Sequence, residues 1–317
     1  MLTGPSGAGK SLLFQIIAGI KRADHGTILL NGKDISKLPV QKRQIGLLFQ
    51  HNTLFPHLNV RQNIEYPLKI RNIKSAERKR IINRLSEESG IAHLLERTSE
   101  NLSGGELQRV SVCRALASGT KYLLLDEPLS SLDVQLRGDL RQLLRRLHKE
   151  GYTILHITHD QREAFQLAER MAVIDQGKII QCAKPIEIFK APASKFVADF
   201  VGYRNFYNIN KYTADGLLLD NSFLMPLHKD VKVPEATYLI IPENAILIGD
   251  KARQKEGGIL LEAYINDLTY YPEAVDISFQ AGIKIRYLCH ETHGFRDELQ
   301  LSKKIALHID TTKLLFV

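Results

Sequence analysis

The run Gly4-Pro5-Ser6-Gly7-Ala8-Gly9-Lys10-Ser11 constrains the chain more than any other feature. It satisfies G-x-x-x-x-G-K-[ST], whose glycines let a loop wrap a polyphosphate with successive backbone N–H groups aimed at its oxygens. Lys10 is then placed to reach the β- and γ-phosphates, and the Ser11 hydroxyl to hold Mg²⁺. A polyphosphate and Mg²⁺ are the expected ligands. The apolar-rich run Leu12 to Gly19 comes directly after, so a helix should start here and turn its positive end toward the anion. A chance glycine-rich turn would need neither the strand entering at Leu2-Thr3 nor the helix leaving.

Up to about residue 202, apolar strand-like runs alternate with amphipathic helical segments, the signature of an α/β domain. Tyr122 to Leu125 and Thr153 to Thr158 are short apolar runs without alternation, which suits strands buried on both faces of a parallel sheet. Met171 to Gln181 reads as a hairpin turning at Asp175-Gln176-Gly177-Lys178. From Tyr203 the texture changes. Short β-prone runs (217–219, 238–241, 258–263, 275–279, 284–288) are separated by Gly, Pro, Asn and Asp, which predicts a small barrel or sandwich over 203–317. With 317 residues, both domains are long enough to bury a core.

Two acids end the apolar strand Leu123-Leu124-Leu125-Asp126-Glu127. Asp126 falls at the C-terminal edge of a sheet strand, where ligands bind in open α/β folds, and can complete the Mg²⁺ shell beside Ser11. Glu127, one residue on and free of the metal, is the candidate general base for an attacking water. Upstream, Leu102-Ser103-Gly104-Gly105-Glu106-Leu107-Gln108-Arg109 places a capping serine and two glycines at a helix start.

In this order and spacing these strings resemble the ABC (ATP-binding cassette) family, with the 102–109 string as its signature. Gln50 in Leu47-Leu48-Phe49-Gln50 matches the Q-loop, Ser131-Leu132-Asp133 the D-loop and Thr158-His159-Asp160 the switch-histidine motif. The resemblance implies an α/β P-loop ABC ATPase domain over 1–202, N-terminally shortened, followed by a small all-β OB/TOBE-like barrel. It implies a head-to-tail homodimer in which Ser103, Gly104, Gly105 and Gln108 of one copy face the ATP held by the P-loop of the other. His159 would contact the γ-phosphate and the attacking water, Gln50 would link the metal to the transport subunits, and Asp133 would belong to the nucleotide-binding set.

His51 to Lys69 resembles the segment that receives an integral-membrane permease in importers, so an exposed apolar surface is expected near residues 50–70. A periplasmic or extracellular substrate-binding protein is the implied indirect partner, and the cytoplasmic face of the membrane the implied location. No run approaches the roughly 18 apolar residues of a spanning helix. Although the formal charge is +8, Lys and Arg are mixed with acids on helical stretches, so no nucleic-acid partner is expected. Non-transport ABC ATPases of DNA repair or translation are the competing class. Within importers, Leu12, Ile91 to Arg97 and Arg204-Asn205 look most like molybdate/tungstate importers, with sulfate, ferric iron and polyamine importers sharing the rest. Tyr238 to Asn244 resembles a strand of TOBE tails. Cys289-His290-Glu291-Thr292-His293 is taken as structural, because no second cluster lies at zinc-site spacing.

The family carries an adenine-stacking aromatic before the P-loop, and no aromatic precedes Gly4 here. Either the start is assigned too far downstream or this is a shortened, impaired copy, and the intact motifs favour the first. A chain extended upstream should then bind ATP more tightly, since base–aromatic stacking contributes about 1–3 kcal/mol; equal affinities would show that the upstream arm does not matter.

Overall fold

The computed structural model describes residues 1–49, 54–130, 132–220, 222–227, 233–290 and 299–317. The chain divides into two compact units, Met1–Ile186 and Glu187–Val317, a boundary nearer the N-terminus than the 202/203 division expected from texture. The reason is local: the helices after Ile186 pack with residues of the second unit. Phe189 and Tyr203 stack with ring centroids 5.0 Å apart, and Tyr203 Oη donates to Phe189 O. Lys195 Nζ lies over the rings of Phe206 and Tyr238.

The first unit is built on a six-stranded sheet. Its order is Ile45–Leu48, Tyr122–Asp126, Thr153–Ile157, Leu2–Thr3, Met171–Asp175 and Lys178–Ala183. All neighbours are parallel except the last pair, the hairpin expected from Met171 to Gln181. Leu123 and Leu125 join one apolar cluster and Leu124 another, so both faces of that strand are covered. This double coverage is why the run is continuously apolar rather than alternating.

The helix Lys10–Ala18 packs Phe14 and Ala18 against the Leu124 side. It stops at Gly19, whose φ of 84° is a left-handed C-cap that glycine adopts without Cβ strain. Its last carbonyls are also held by a buried cation. Arg43, 4% exposed, donates to Ile16 O and Ile17 O at 2.7 Å each, and to Leu38 O and Ser36 O. A guanidinium suits this end of the helix dipole, and carbonyl oxygens satisfy its fixed fork of donors. Helices Val60–Ile70, Ser75–Glu88 and Gly104–Ala117 form a separate layer around Ile64, Leu68, Ile82 and Val110.

The second unit contains two five-stranded antiparallel sheets. One runs in the order Phe223–Pro226, Gly216–Leu219, Phe206–Thr213, Tyr238–Ile240, Leu315–Phe316. The other runs Ile246–Ile248, Lys304–Ile309, Ile259–Tyr270, Val275–Ala281, Ile283–Cys289. Tyr207, Leu217, Leu239, Ile265, Ile277, Phe279, Ile285 and Leu307 from both sheets share one core. The curled, all-antiparallel arrangement fits the small barrel-like β domain expected from the sequence. The strands read from sequence are present, and the strand begun at 258–263 runs on to Tyr270. Of the stretch 289–293, Cys289 is buried, while 291–293 lie outside the described residues.

Phe279 is fully buried in this core. Phe279→Ala should destabilise the second unit by about 3–5 kcal/mol, through lost transfer energy and the cavity left behind, measured by denaturant unfolding followed in that unit. A change below about 1 kcal/mol would mean the site collapses around the smaller side chain.

Candidate functional site

The P-loop leaves the sheet at Gly4, where φ is 156° and an added Cβ would lie 2.1 Å from Ile174 O. A side chain cannot enter there, so the motif's first glycine is required by the neighbouring strand as well as by phosphate. Gly7 and Gly9 take φ of 81° and 95°, and Gly9 is the N-cap of the helix that begins at Lys10. The hairpin turn buttresses the loop from outside, with Gly177 N donating to Ala8 O at 3.1 Å. Pro5, Ser6 and Gly7 are exposed, whereas Ala8 is buried.

Lys10 is buried and its ammonium donates to Gly4 O at 2.9 Å and Pro5 O at 2.8 Å. Burial lowers its pKa, while Glu127 and Asp126 pull it up. Across the loop, Asp126 is 7% exposed and raised by burial, with the Ser11 hydroxyl hydrogen-bonded to its carboxyl opposing that shift. Ser11 and Asp126 thus present adjacent hard oxygen donors. A Mg²⁺ ion, which takes one or two protein oxygens and completes its shell with phosphates and water, fits this pair. Among the described residues no group of three or more His, Cys, Asp or Glu forms a closed cage.

Glu127 sits where the strand breaks. Its φ is 47°, rare for a residue with a Cβ, and its N–H donates to Ile157 O at 3.1 Å. Such a conformation costs on the order of 1–3 kcal/mol and persists only when surroundings over-determine it. Here it turns the carboxyl toward the next strand's end, with Oε1 lying 3.0 Å from His159 Nδ1. The Glu127 side chain is 16% exposed and that of His159 63%. A largely shielded carboxylate beside an exposed imidazole, next to the loop, can accept a proton from a neighbouring water.

The structure therefore brings together Lys10, Ser11, Asp126, Glu127 and His159. It leaves the signature apart. Ser103 caps Gly104–Ala117 in a reciprocal box with Glu106, and Ser103 and Gly104 are exposed. Gly105 is tight, because a Cβ there would meet Leu136 Cδ1 at 2.2 Å. Gln108 is 2% exposed. Asp133 caps Val134–Lys149, its Oδ1 accepting from Leu136 N at 2.9 Å. Gln50 and Ser131 lie outside the described residues.

On the segment expected to dock a permease, Asn63 is fully buried and ties Phe55, Leu58 and Asn59 through its amide. It holds the Phe55 ring 4.7 Å from that of Tyr66, with the Arg114 guanidinium 5.3 Å from the Phe55 centroid. Tyr66 and Ile70 are 43% and 63% exposed. No helix among the described residues is long and apolar enough to cross a membrane.

Sequence reasoning passed over two buried groups under the switch turn, His156 and Glu163, 2% and 6% exposed. Their side chains approach to 3.5 Å. A Glu in a helix reads as a solvated face, so only packing could reveal it.

The fold of the first unit is that of P-loop ABC ATPases. Residues 1–130 match the family model described as ABC transporter. The chain is 47% identical over 206 residues to a molybdate/tungstate import ATP-binding protein of Thermococcus kodakarensis, covering 65% of this chain and 62% of that one. It is 46% identical over 202 residues to a sulfate/thiosulfate import ATP-binding protein of Mycobacterium tuberculosis, covering 63% and 58%. To a maltose/maltodextrin import ATP-binding protein of Yersinia pestis it is 44% identical over 203 residues, covering 64% and 55%. It thus spans little more than half the length of these relatives. A solved ATP-binding cassette, MJ0796, in a dimeric post-hydrolysis state with ADP and Pi, superposes with TM-score 0.54 at 27% identity, covering 58% of this chain and 84% of that one.

Burial pushes the His156 imidazole down to about 3. The unfolded chain, with a histidine near 6.5, takes up a proton that the folded chain refuses. His156 therefore withdraws stability as pH falls from about 6.5 toward 3, and Glu163, raised by burial, acts in the opposite sense. Relative to His156→Gln, the wild-type chain should lose a few kcal/mol (about 1.4 per pH unit) between pH 6.5 and 4 in denaturant titrations. Parallel curves would remove the buried neutral histidine.

Proposed function

We propose that this chain is the ATP-hydrolysing subunit of an importer-type ABC transporter, working as a homodimer at the cytoplasmic face of a membrane. The observation that carries the reading is the Glu127 carboxyl, set beside His159 and one residue beyond Asp126, at the mouth of the P-loop. The helix Lys10–Ala18 turns its positive end to the polyphosphate, and Lys10 moves from its loop carbonyls to the β- and γ-phosphates. Ser11 and Asp126 would hold Mg²⁺, which supplies charge neutralisation on the phosphates. Gln50 is the further candidate at the metal. Glu127 takes the proton of the attacking water, and His159 orients that carboxyl and the γ-phosphate.

Ser103, Gly104, Gly105 and Gln108 of the partner copy, at a helix N-terminus, complete the γ-phosphate site, and Asp133 adds to the nucleotide-binding set. Support for the dimer comes from the dimeric state of the solved cassette. Permease subunits dock near residues 50–70, where Tyr66 and Ile70 are exposed, and a substrate-binding protein delivers the cargo. The relatives named for molybdate/tungstate and for sulfate/thiosulfate favour an oxyanion, and the soft similarities at Leu12, 91–97 and Arg204-Asn205 favour molybdate or tungstate.

Glu127→Gln should bind ATP but lower turnover about 10²–10⁴-fold, the range for a general base, and accumulate ATP-bound dimer in size-exclusion runs. Undiminished hydrolysis would remove Glu127 as the base. ATPase activity of the chain with its permease, titrated with molybdate, tungstate and sulfate, tests the cargo. A response to one oxyanion identifies it, and a flat response with hydrolysis intact moves the assignment to iron or polyamine import.

A further inference from the structure

Glu127 holds a backbone conformation that its own sequence disfavours twice. Its φ is 47°, in the left-handed region that a Cβ makes costly. Pro128 comes next, and a proline ring pushes the residue before it toward extended backbone. Relaxing φ would swing the Cβ, and with it the carboxyl whose Oε1 lies 3.0 Å from His159 Nδ1. The strained conformation and the aim of the candidate base are therefore one feature, and its neighbours must hold it.

Three hydrogen bonds on the Glu127 main chain do so. On one side its N–H donates to Ile157 O at 3.1 Å, in the neighbouring strand. On the other its carbonyl oxygen accepts twice from a single residue, from Ser130 N at 3.3 Å and from the Ser130 hydroxyl at 3.0 Å. A carbonyl oxygen has two lone pairs, so it can take both donors. The backbone bond closes the turn Glu127-Pro128-Leu129-Ser130, with proline where its fixed φ suits a turn. Leu129, 1% exposed, anchors that turn from inside, in the apolar cluster that includes Leu132 and Leu140. The Ile157 bond comes from the sheet and the Ser130 N–H bond from the turn, and a residue of another type at 130 would keep both. Only the hydroxyl bond depends on which side chain stands there. Ser130 is exposed, so water could satisfy its hydroxyl equally well and the bond adds little to folding. Its effect is on where the Glu127 peptide is fastened.

We propose that Ser130 is a positioning residue for Glu127: its hydroxyl, donating to the Glu127 carbonyl, holds the left-handed backbone that points the carboxyl at His159. The proposal rests on the reading of the site as an ATPase centre with Glu127 as its base. The role needs a side-chain hydroxyl at 130 and nothing more. Threonine, whose extra methyl falls at an exposed position, fulfils it, and alanine does not.

The test compares Ser130→Ala and Ser130→Thr in the full chain, each alone and combined with Glu127→Gln. Ser130→Ala is expected to lower kcat about tenfold, as a misaimed group does, and to leave the KM for ATP within about twofold. Its thermal midpoint should stay within about 2 °C of wild type, since an exposed bond is lost. Ser130→Thr should keep kcat within about twofold of wild type. On the Glu127→Gln background, Ser130→Ala should lower the residual rate no further, because it acts only through the carboxylate already removed. The imidazole resonances of His159, assigned by their loss in His159→Gln, should move in Ser130→Ala and stay in Ser130→Thr. Wild-type kcat in Ser130→Ala, a Ser130→Thr as impaired as Ser130→Ala, or a tenfold loss that persists on the Glu127→Gln background would overturn the proposal. Should the wild-type chain hydrolyse no ATP, the ATPase reading fails, and the His159 signal alone decides whether Ser130 places Glu127.

Discussion

A strand of two residues holds the first unit together functionally. Leu2 and Thr3 pair in parallel with Thr153–Ile157 on one side and Met171–Asp175 on the other, and the chain then bends at Gly4 into the P-loop. Every partner of the phosphate site is referred to this strand. Ile157 beside it receives the Glu127 N–H, and Thr158 bonds back to Leu2. Ile174 on the other side crowds Gly4, and the turn after it supports Ala8 through Gly177. Parallel strands end in register on one edge, so residues far apart in sequence meet in one crevice.

Charge is managed differently at the two ends of the P-loop helix. At its start the unpaired N–H groups and Lys10 form a positive cradle, with Asp126 close enough to share a metal. At its end Arg43 meets the carbonyls of Ile16 and Ile17, with other carbonyls completing its shell. The helix is thus fixed at both poles. Under the switch turn the solution is reversed: burial drives His156 and Glu163 toward neutral forms, so their contact is polar without being an ion pair. A buried pair of full charges would carry a larger desolvation cost.

Much of the site was legible because phosphate chemistry demands particular residues at fixed spacing. Gly4 to Ser11, Asp126, Glu127 and His159 fall where the strands and turns read from sequence put them, and the structure brings them within reach of each other. The β-rich texture after 203 likewise reported an antiparallel domain, since short β-prone runs between turn residues leave few other ways to bury a face. The domain boundary was less legible. Composition changes at about 203, but Phe189 and Lys195 pack with later residues, and aromatic stacking leaves no periodic mark in the sequence.

By itself the sequence determined the P-loop motif, the acids at the strand end, the candidate base and the order in which they come. Those features come from residue type and local spacing, which side-chain chemistry and backbone geometry dictate directly. Only the tertiary structure decided that Glu127 and His159 lie 3.0 Å apart, that Gly105 is closed off by Leu136, and that Glu163 is buried rather than a surface acid. These depend on which strands become neighbours and which helix face is covered, and burial is a property of packing that no single residue carries.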